Sequence, residues 1–322
     1  MIIVTGAYGF IGSCLCRFLK EKGIDDIVGS DDFTVPHKKA NLKSLKGCRR
    51  VKRHRLFSFI DKNHSSIEVI FHLGARTDTT ENDEELLDRL NTGFSKRLWC
   101  KCSDYEIPLI YASSAATYGL GDYGFVDNHA LVPRMEPLNP YGWSKQLFDL
   151  WAINQGYEPP RWYGLKFFNV YGPNESHKGR MASVAYHAFR QISEFGHMDL
   201  FRSHNPEVAD GQQSRDFIYI KDVLKIMYWI WQNKAVESGL YNVGTGKART
   251  FEDLAIATFD ALGKQPIINY IDTPEDIRDN YQYFTQASME KLSKQGYPLK
   301  FESLEEGIKD YVTNYLIPEK KY

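Results

Sequence analysis

Short apolar runs alternate along the chain with stretches whose apolar positions recur every three or four residues. Residues 2–5, 26–29, 68–72, 109–113 and 163–170 have the length and composition of strands, and 11–22, 83–102 and 141–156 have helical spacing. Strands that are apolar throughout and separated by helices predict a parallel sheet covered on both faces, the doubly wound α/β class. The rhythm changes at Gly172-Pro173-Asn174-Glu175, a cluster of helix and strand breakers. Beyond it a helix is predicted near 181–194, a polar loop over 203–214, and a strand and helix over 216–232. Helices near 251–262 and 304–315 and a strand near 267–271 complete the pattern. The expected organisation is a dinucleotide-binding domain of residues 1–172 and 215–246, with a smaller mixed α/β substrate domain of 173–214 and 247–322.

Composition narrows the function. Forty Lys and Arg stand against 41 Asp and Glu, so the chain lacks the basic excess of a nucleic-acid or membrane-surface binder. No run approaches the roughly 18 uncharged apolar residues of a membrane span. The start, Met1-Ile2-Ile3-Val4-Thr5-Gly6, has no secretory pattern, so a cytoplasmic, reduced protein is expected. Cys14 and Cys16, and Cys100 and Cys102, form C-x-C pairs, but structural zinc prefers wider spacing. With Cys48 they read as buried or half-buried free thiols, and no metal site is expected. The 14% aromatic share exceeds what the charge pattern explains and suits sites that stack flat ligands.

Thr5-Gly6-Ala7-Tyr8-Gly9-Phe10-Ile11-Gly12 follows the first strand and opens the first helix. Gly6 permits a tight turn, Gly9 lets backbone approach a pyrophosphate, and Gly12 allows close helix–strand packing at an N-terminus suited to anions. Asp31 lies where an acid bonds the adenosine ribose, which favours NAD. The acid-free segment 37–55, beginning with Lys38 just beyond Asp31 and Asp32, offers charge for the 2′-phosphate of NADP, or is a solvated surface. Both cofactors stay open on these residues alone.

Tyr141-Gly142-Trp143-Ser144-Lys145 places a phenol and an ammonium on one helical face, and of 20 tyrosines only Tyr141 has Lys four positions on. A cation beside the phenol favours the phenolate, a base for a substrate alcohol. Ser114 and Tyr118, in Tyr111-Ala112-Ser113-Ser114-Ala115-Ala116-Thr117-Tyr118, end a strand on the ligand-binding edge. Ser114 is read as a donor to the reacting oxygen or as a cap, and Tyr118 as a pocket wall.

These motifs in this order resemble the extended short-chain dehydrogenase/reductase family, whose members mostly epimerise, dehydrate or reduce nucleotide sugars. Within it, Phe167-Phe168-Asn169-Val170-Tyr171-Gly172-Pro173, His177-Lys178-Gly179, Met181-Ala182-Ser183-Val184 and Phe284-Thr285-Gln286-Ala287 are similar to the ADP-L-glycero-D-manno-heptose 6-epimerase family. The resemblance spans the whole chain. It implies an isomerase that oxidises C6″ of ADP-D-glycero-β-D-manno-heptose with tightly bound NADP, then returns hydride to the other face, in supply of lipopolysaccharide core heptose. It further implies Tyr141 and Lys178 as the two proton carriers, Ser114 assisting, and Lys145 holding the cofactor ribose; Lys178 as a pyrophosphate binder is the alternative.

By the same resemblance Gly6, Gly9, Phe10, Ile11, Gly12, Asp31, Asp32, Lys38, Leu73, Gly74, Ala75, Arg76, Thr77, Asn91, Lys145 and Val170 line the cofactor. Asn169, Arg180, His187, Phe201, Arg202, Ser203, His204, Arg215 and Tyr281 hold the nucleotide sugar. A homo-oligomer, often a pentamer, is implied as well. Leu73 stands where the family has Glu, Arg180 where it has Ser, and Arg202-Ser203-His204 replace Glu-Gly-Ser. Another nucleotide-sugar epimerase or a dehydratase is the competing reading. Ala115 and Ala116 after Ser114 lack the acid a dehydratase needs. A non-enzymatic dinucleotide sensor is disfavoured by the intact Tyr141 and Lys145.

Overall fold

The first half alternates strand and helix in the computed structural model, which describes residues 1–278 and 281–322. In order come β1 (Ile2–Thr5), α1 (Phe10–Glu21), β2 (Ile27–Asp31), β3 (Arg49–Lys52), α2 (Leu56–Asn63), β4 (Val69–His72), α3 (Glu84–Leu87), α4 (Gly93–Asp104), β5 (Leu109–Ser114), α5 (Pro140–Ala152), β6 (Trp162–Phe167) and β7 (Asn169–Tyr171). The second half holds α6 (Val184–Phe195), β8 (Met198–Phe201), β9 (Ser214–Tyr219), α7 (Ile220–Gln232), β10 (Gly239–Val243), β11 (Ala248–Thr250), α8 (Phe251–Leu262), β12 (Ile268–Ile271), α9 (Glu275–Arg278), α10 (Glu290–Lys294) and α11 (Leu304–Tyr311).

Seven strands form one sheet in the order β10-β6-β5-β4-β1-β2-β3, all neighbours parallel. This is the doubly wound Rossmann arrangement, and its strand order reverses at β1, between β2 and β4. Ligands in such sheets bind beyond the carboxyl ends of the strands at that switch. The inner strands are buried on both faces, as every residue of β1, β4 and β6 shows. Two smaller sheets accompany it: β11-β9-β7, and β12 paired with β8.

Three departures from the sequence pattern have local causes. The basic segment 37–55 contains a 3₁₀ turn (Pro36–Leu45) and then β3, an Arg-Arg-Val-Lys edge strand that no apolar run announces. Charge suits an edge, because it discourages further strand pairing. The helix expected over 83–102 is split by a π turn at Asp88–Thr92, where the Asn91 side chain leaves the helix to bond Arg76 and Ser144. The strand expected over 163–170 divides at Phe168, whose N–H donates to the Val243 carbonyl at 3.0 Å, so β6 stays in the large sheet and β7 enters the small one.

Cys14, Cys16 and Cys102 are buried and Cys48 is half-buried, whereas Cys100 is exposed on α4, correcting the expectation of five sheltered thiols. Among the described residues no helix is long and apolar enough to cross a membrane.

Candidate active site

The carboxyl end of β1 turns sharply into α1. Gly6 adopts φ +65°, and a Cβ there would lie 2.7 Å from the backbone of Leu73 and Gly74. Gly12 packs so closely on the Gly6 carbonyl that a Cβ would meet it. Gly9 is the N-cap of α1 without a side-chain cap, which leaves backbone N–H groups of the first turn facing outward. Thr5 Oγ1 accepts from the N–H groups of Leu73 (3.1 Å) and Gly74 (3.0 Å), tying the loop after β4 to the glycine turn. Ala75, Arg76 and Thr77 continue that loop, and Asn91 pins it through the Arg76 N–H at 2.8 Å and the Arg76 carbonyl at 3.0 Å. The Arg76 side chain itself turns to Glu81 and Asp78. Phe10 is buried and Ile11 packs partly against the core.

Asp31 ends β2 and accepts from the Tyr8 N–H at 2.9 Å. Lys38 stands 4.0 Å from Asp31, and Arg53 3.9 Å from Asp32. Bonds from Thr34 hold the Asp32 carboxyl below its usual range. A close backbone cradle, an acid at the second strand and cations beside it fit a dinucleotide on this structure's own geometry.

Across the switch, Asn139 caps α5 through the Gly142 N–H at 2.8 Å, and Pro140 begins the helix. Tyr141 and Lys145 then lie one turn apart, and the Lys145 ammonium donates to the Ala112 carbonyl at 2.9 Å. Ser114 caps the 3₁₀ turn Ala115–Tyr118 by accepting from the Ala116 N–H, and its hydroxyl lowers the proton affinity of the neighbouring Tyr141 phenol. The cap reading of Ser114 is the one this geometry shows.

The electrostatics correct one expectation. Burial raises the Tyr141 phenol above its ordinary value, opposed by the Ser114 bond, and Lys145 is not the dominant influence. Burial also pulls Lys145 down to about 8, opposed by Asp149. Desolvation is the largest influence on both groups, because each charged form loses water.

Tyr118 is not a pocket wall. It is buried, and its hydroxyl donates to Asn242 Oδ1 at 2.6 Å. Beneath it lies an ion pair absent from the sequence reading. Lys166 Nζ and Asp149 Oδ2 are 2.7 Å apart, and both side chains are 0% exposed. Asp149 also accepts from Ser113 Oγ (2.6 Å) and Tyr111 Oη (3.1 Å), and Lys166 donates to Thr117 Oγ1 at 2.7 Å. The cluster ties α5, which carries Tyr141 and Lys145, to β5 and to the turn after Ser114. A lone Lys in the otherwise apolar run Trp162–Phe167 is the signal that points to it.

Lys178 occupies the 3₁₀ turn Ser176–Met181, with its ammonium 5.8 Å from the centre of the Phe10 ring. Burial lowers its proton affinity and Glu175 opposes that. Arg180 is exposed in the same turn, its carbonyl 3.3 Å from His187 Nε2 on α6. Asn169 is exposed and Val170 half-buried on β7.

Arg215, 8% exposed, lies over the rings of Phe251 (5.4 Å) and Tyr281 (5.5 Å), and Phe201 meets Tyr281 edge-on at 6.2 Å. These four form one aromatic and cationic wall. The neighbouring Arg202 points instead to Asp272 at 3.3 Å, while Ser203 and His204 donate backbone N–H groups to Asp210 and Tyr283.

Residues 2–244 match the NAD dependent epimerase/dehydratase family. The chain belongs to this epimerase/dehydratase family. Among curated relatives, the ADP-L-glycero-D-manno-heptose-6-epimerase of Fusobacterium nucleatum is 46% identical over an alignment of 332 positions covering all of both chains. That of Nitratidesulfovibrio vulgaris is 47% identical over 321 positions, 98% of each chain. Among solved structures, the Helicobacter pylori ADP-L-glycero-D-manno-heptose-6-epimerase superposes with a TM-score of 0.79 at 28% identity, covering 97% of this chain and 95% of that one. The Thermus thermophilus UDP-glucose 4-epimerase, solved with NAD, gives 0.77 at 25% identity and 97% of each chain. As a member of the epimerase/dehydratase family the chain is an enzyme that uses a nicotinamide cofactor on a nucleotide sugar.

Proposed function

We propose that this enzyme inverts C6″ of ADP-D-glycero-β-D-manno-heptose, giving ADP-L-glycero-β-D-manno-heptose by way of a 6″-ketone. The observation that carries the reading is a pair of separate, half-buried proton carriers beside the dinucleotide cradle: Tyr141 at the start of α5, and Lys178, seated over Phe10 at the glycine turn. A bound nicotinamide supplies the reversible removal and return of hydride at C6″. Inversion requires that the ketone turn over between the two hydride transfers, so that its oxygen gives up a proton to one group and regains one from another on the opposite side. Tyr141 takes or gives the proton with Ser114 bonding the oxygen, and Lys178 serves the opposite face. Lys145 holds the ribose from one helical turn beyond Tyr141.

Further assignments belong to the same proposal. Lys38 and Arg53, beside Asp31 and Asp32, favour NADP through its 2′-phosphate. Arg215, Tyr281 and Phe201 hold the ADP, and Asn169, Arg180 and His187 face the sugar. Arg202, Ser203 and His204 border that site, and we assign the active form to a cytoplasmic homo-oligomer. Residues 1–172 and 215–246 constitute the cofactor domain, and 173–214 and 247–322 the substrate domain.

The test is incubation with ADP-D-glycero-β-D-manno-heptose, followed by NMR of the configuration at C6″. Inversion without net cofactor reduction is expected, with Tyr141→Phe and Lys178→Met each slowing turnover by about 10²–10⁴-fold while cofactor stays bound. Stoichiometric consumption of NADPH, or an unchanged C6″, overturns the proposal.

A further inference from the structure

We propose that Glu175 is a positioning residue for Lys178: its carboxylate closes the turn that carries Lys178 and supplies the negative charge facing that ammonium. The inference rests on Lys178 being a proton carrier, as proposed above.

Glu175 is 0% exposed. Its Oε1 accepts from the Gly172 N–H at 3.1 Å and from Ser183 Oγ at 2.7 Å, and its Oε2 accepts from the Ser183 N–H. The Tyr311 phenol of α11 lies close enough to this carboxyl to feel its charge. One side chain thus joins residue 172, where the chain leaves β7, to residue 183, the N-cap of α6. The loop between them is the Lys178 turn. Within it the Lys178 N–H donates to the Glu175 carbonyl at 2.8 Å, and Gly179 reverses the chain at φ +56°. Holding both ends of the loop fixes where Lys178 leaves it, over Phe10.

Three donors converge on the two carboxylate oxygens, which a neutral Gln could accept only in part, and the cost is a buried charge. Lys178 supplies an opposite charge in the same turn. Other charged or titratable groups near the two are His177 in the same turn, His37 and Lys38 from the 36–45 turn, Lys321 at the end of the chain, and the Cys14 and Tyr311 side chains. None of these is a carboxylate. Burial raises Glu175 and lowers Lys178, and each group opposes the shift of the other. Without the carboxylate, Lys178 gives up its proton at lower pH and less ammonium remains to protonate a ketone.

The test is the pH dependence of kcat for the full-length holoenzyme and Glu175→Gln, with melting temperature and NADP affinity measured alongside. The alkaline limb is expected to move down by about one pH unit in Glu175→Gln, a roughly tenfold loss above the limb, with NADP affinity unchanged. Glu175→Asp, which withdraws the charge by one methylene, is expected to shift the limb less and in the same direction. It serves as the test should Glu175→Gln not fold. An unmoved limb, with kcat lowered equally at every pH, overturns the proposal in favour of a purely structural role. Lys178→Met separates the two readings. Wild-type turnover in that variant sinks the role of Lys178 itself, whereas an inactive Lys178→Met with an unmoved Glu175→Gln limb sinks only the role of Glu175.

Discussion

Replacing Lys166 by Met takes the ion-pair partner from Asp149 at a site with 0% side-chain exposure, where water cannot take over the lost partner. Only Ser113 and Tyr111 then remain to bond the carboxylate. Breaking a buried pair on one side costs about 3–5 kcal/mol, chiefly because a charge is stranded. Asp149→Asn strands Lys166 in the same way, with Thr117 as its remaining bond. The double variant Asp149→Asn/Lys166→Met strands no charge and keeps an acceptor for one of the two hydroxyls, which bond different carboxylate oxygens. Its cost should therefore fall short of the sum of the singles by about 2 kcal/mol or more. At about 2 °C per kcal/mol for a chain of this size, each single variant should melt about 6–10 °C lower. Urea unfolding of all four proteins at pH 7.5, followed by circular dichroism, measures the cycle. Additive costs within about 0.5 kcal/mol would refute the reasoning, since they would mean that neither charge depends on the other.

Gly12→Ala should abolish tight cofactor binding and cost about 1–3 kcal/mol, because its Cβ meets Gly6 backbone that cannot move aside; titration with NADPH checks it, and an unchanged Kd contradicts it. Arg215→Lys should raise KM about tenfold with little change in kcat, since a lysine cannot keep the planar fork between Phe251 and Tyr281. Steady-state kinetics decides, and an unaltered KM rejects the assignment. His72 bonds Thr5 Oγ1 (2.7 Å) and Ser95 Oγ (2.9 Å), and burial holds its pKa down to about 3. Unfolded, it titrates near 6.5, so its contribution is complete above about pH 6.5 and drains as pH falls toward about 3. Urea midpoints of His72→Asn should fall less steeply than those of the wild type between pH 6.5 and 4, and parallel curves would exclude this role.

What the amino-acid sequence determined by itself was the chemistry set by near neighbours. A glycine triplet after an apolar strand specifies a tight turn into a helix, and Tyr141 with Lys145 must share a helical face, because backbone geometry and helical pitch act over a few residues. The alternation of apolar runs with helical spacing also carried the parallel sheet and its binding edge. Packing alone decided the rest. Lys166 finds Asp149 across 17 residues, Asn41 reaches the Asn174 carbonyl across 133, and Arg215 meets the Gln282 carbonyl across 67. Nothing in local spacing specifies such pairs, which form only when separate elements are pressed together and water is excluded. Tyr118 passed from expected pocket wall to core for the same reason: Asn242, on the far strand β10, satisfies its hydroxyl. The raised Tyr141 phenol and lowered Lys145 are likewise tertiary, since desolvation depends on how much surrounding protein replaces water.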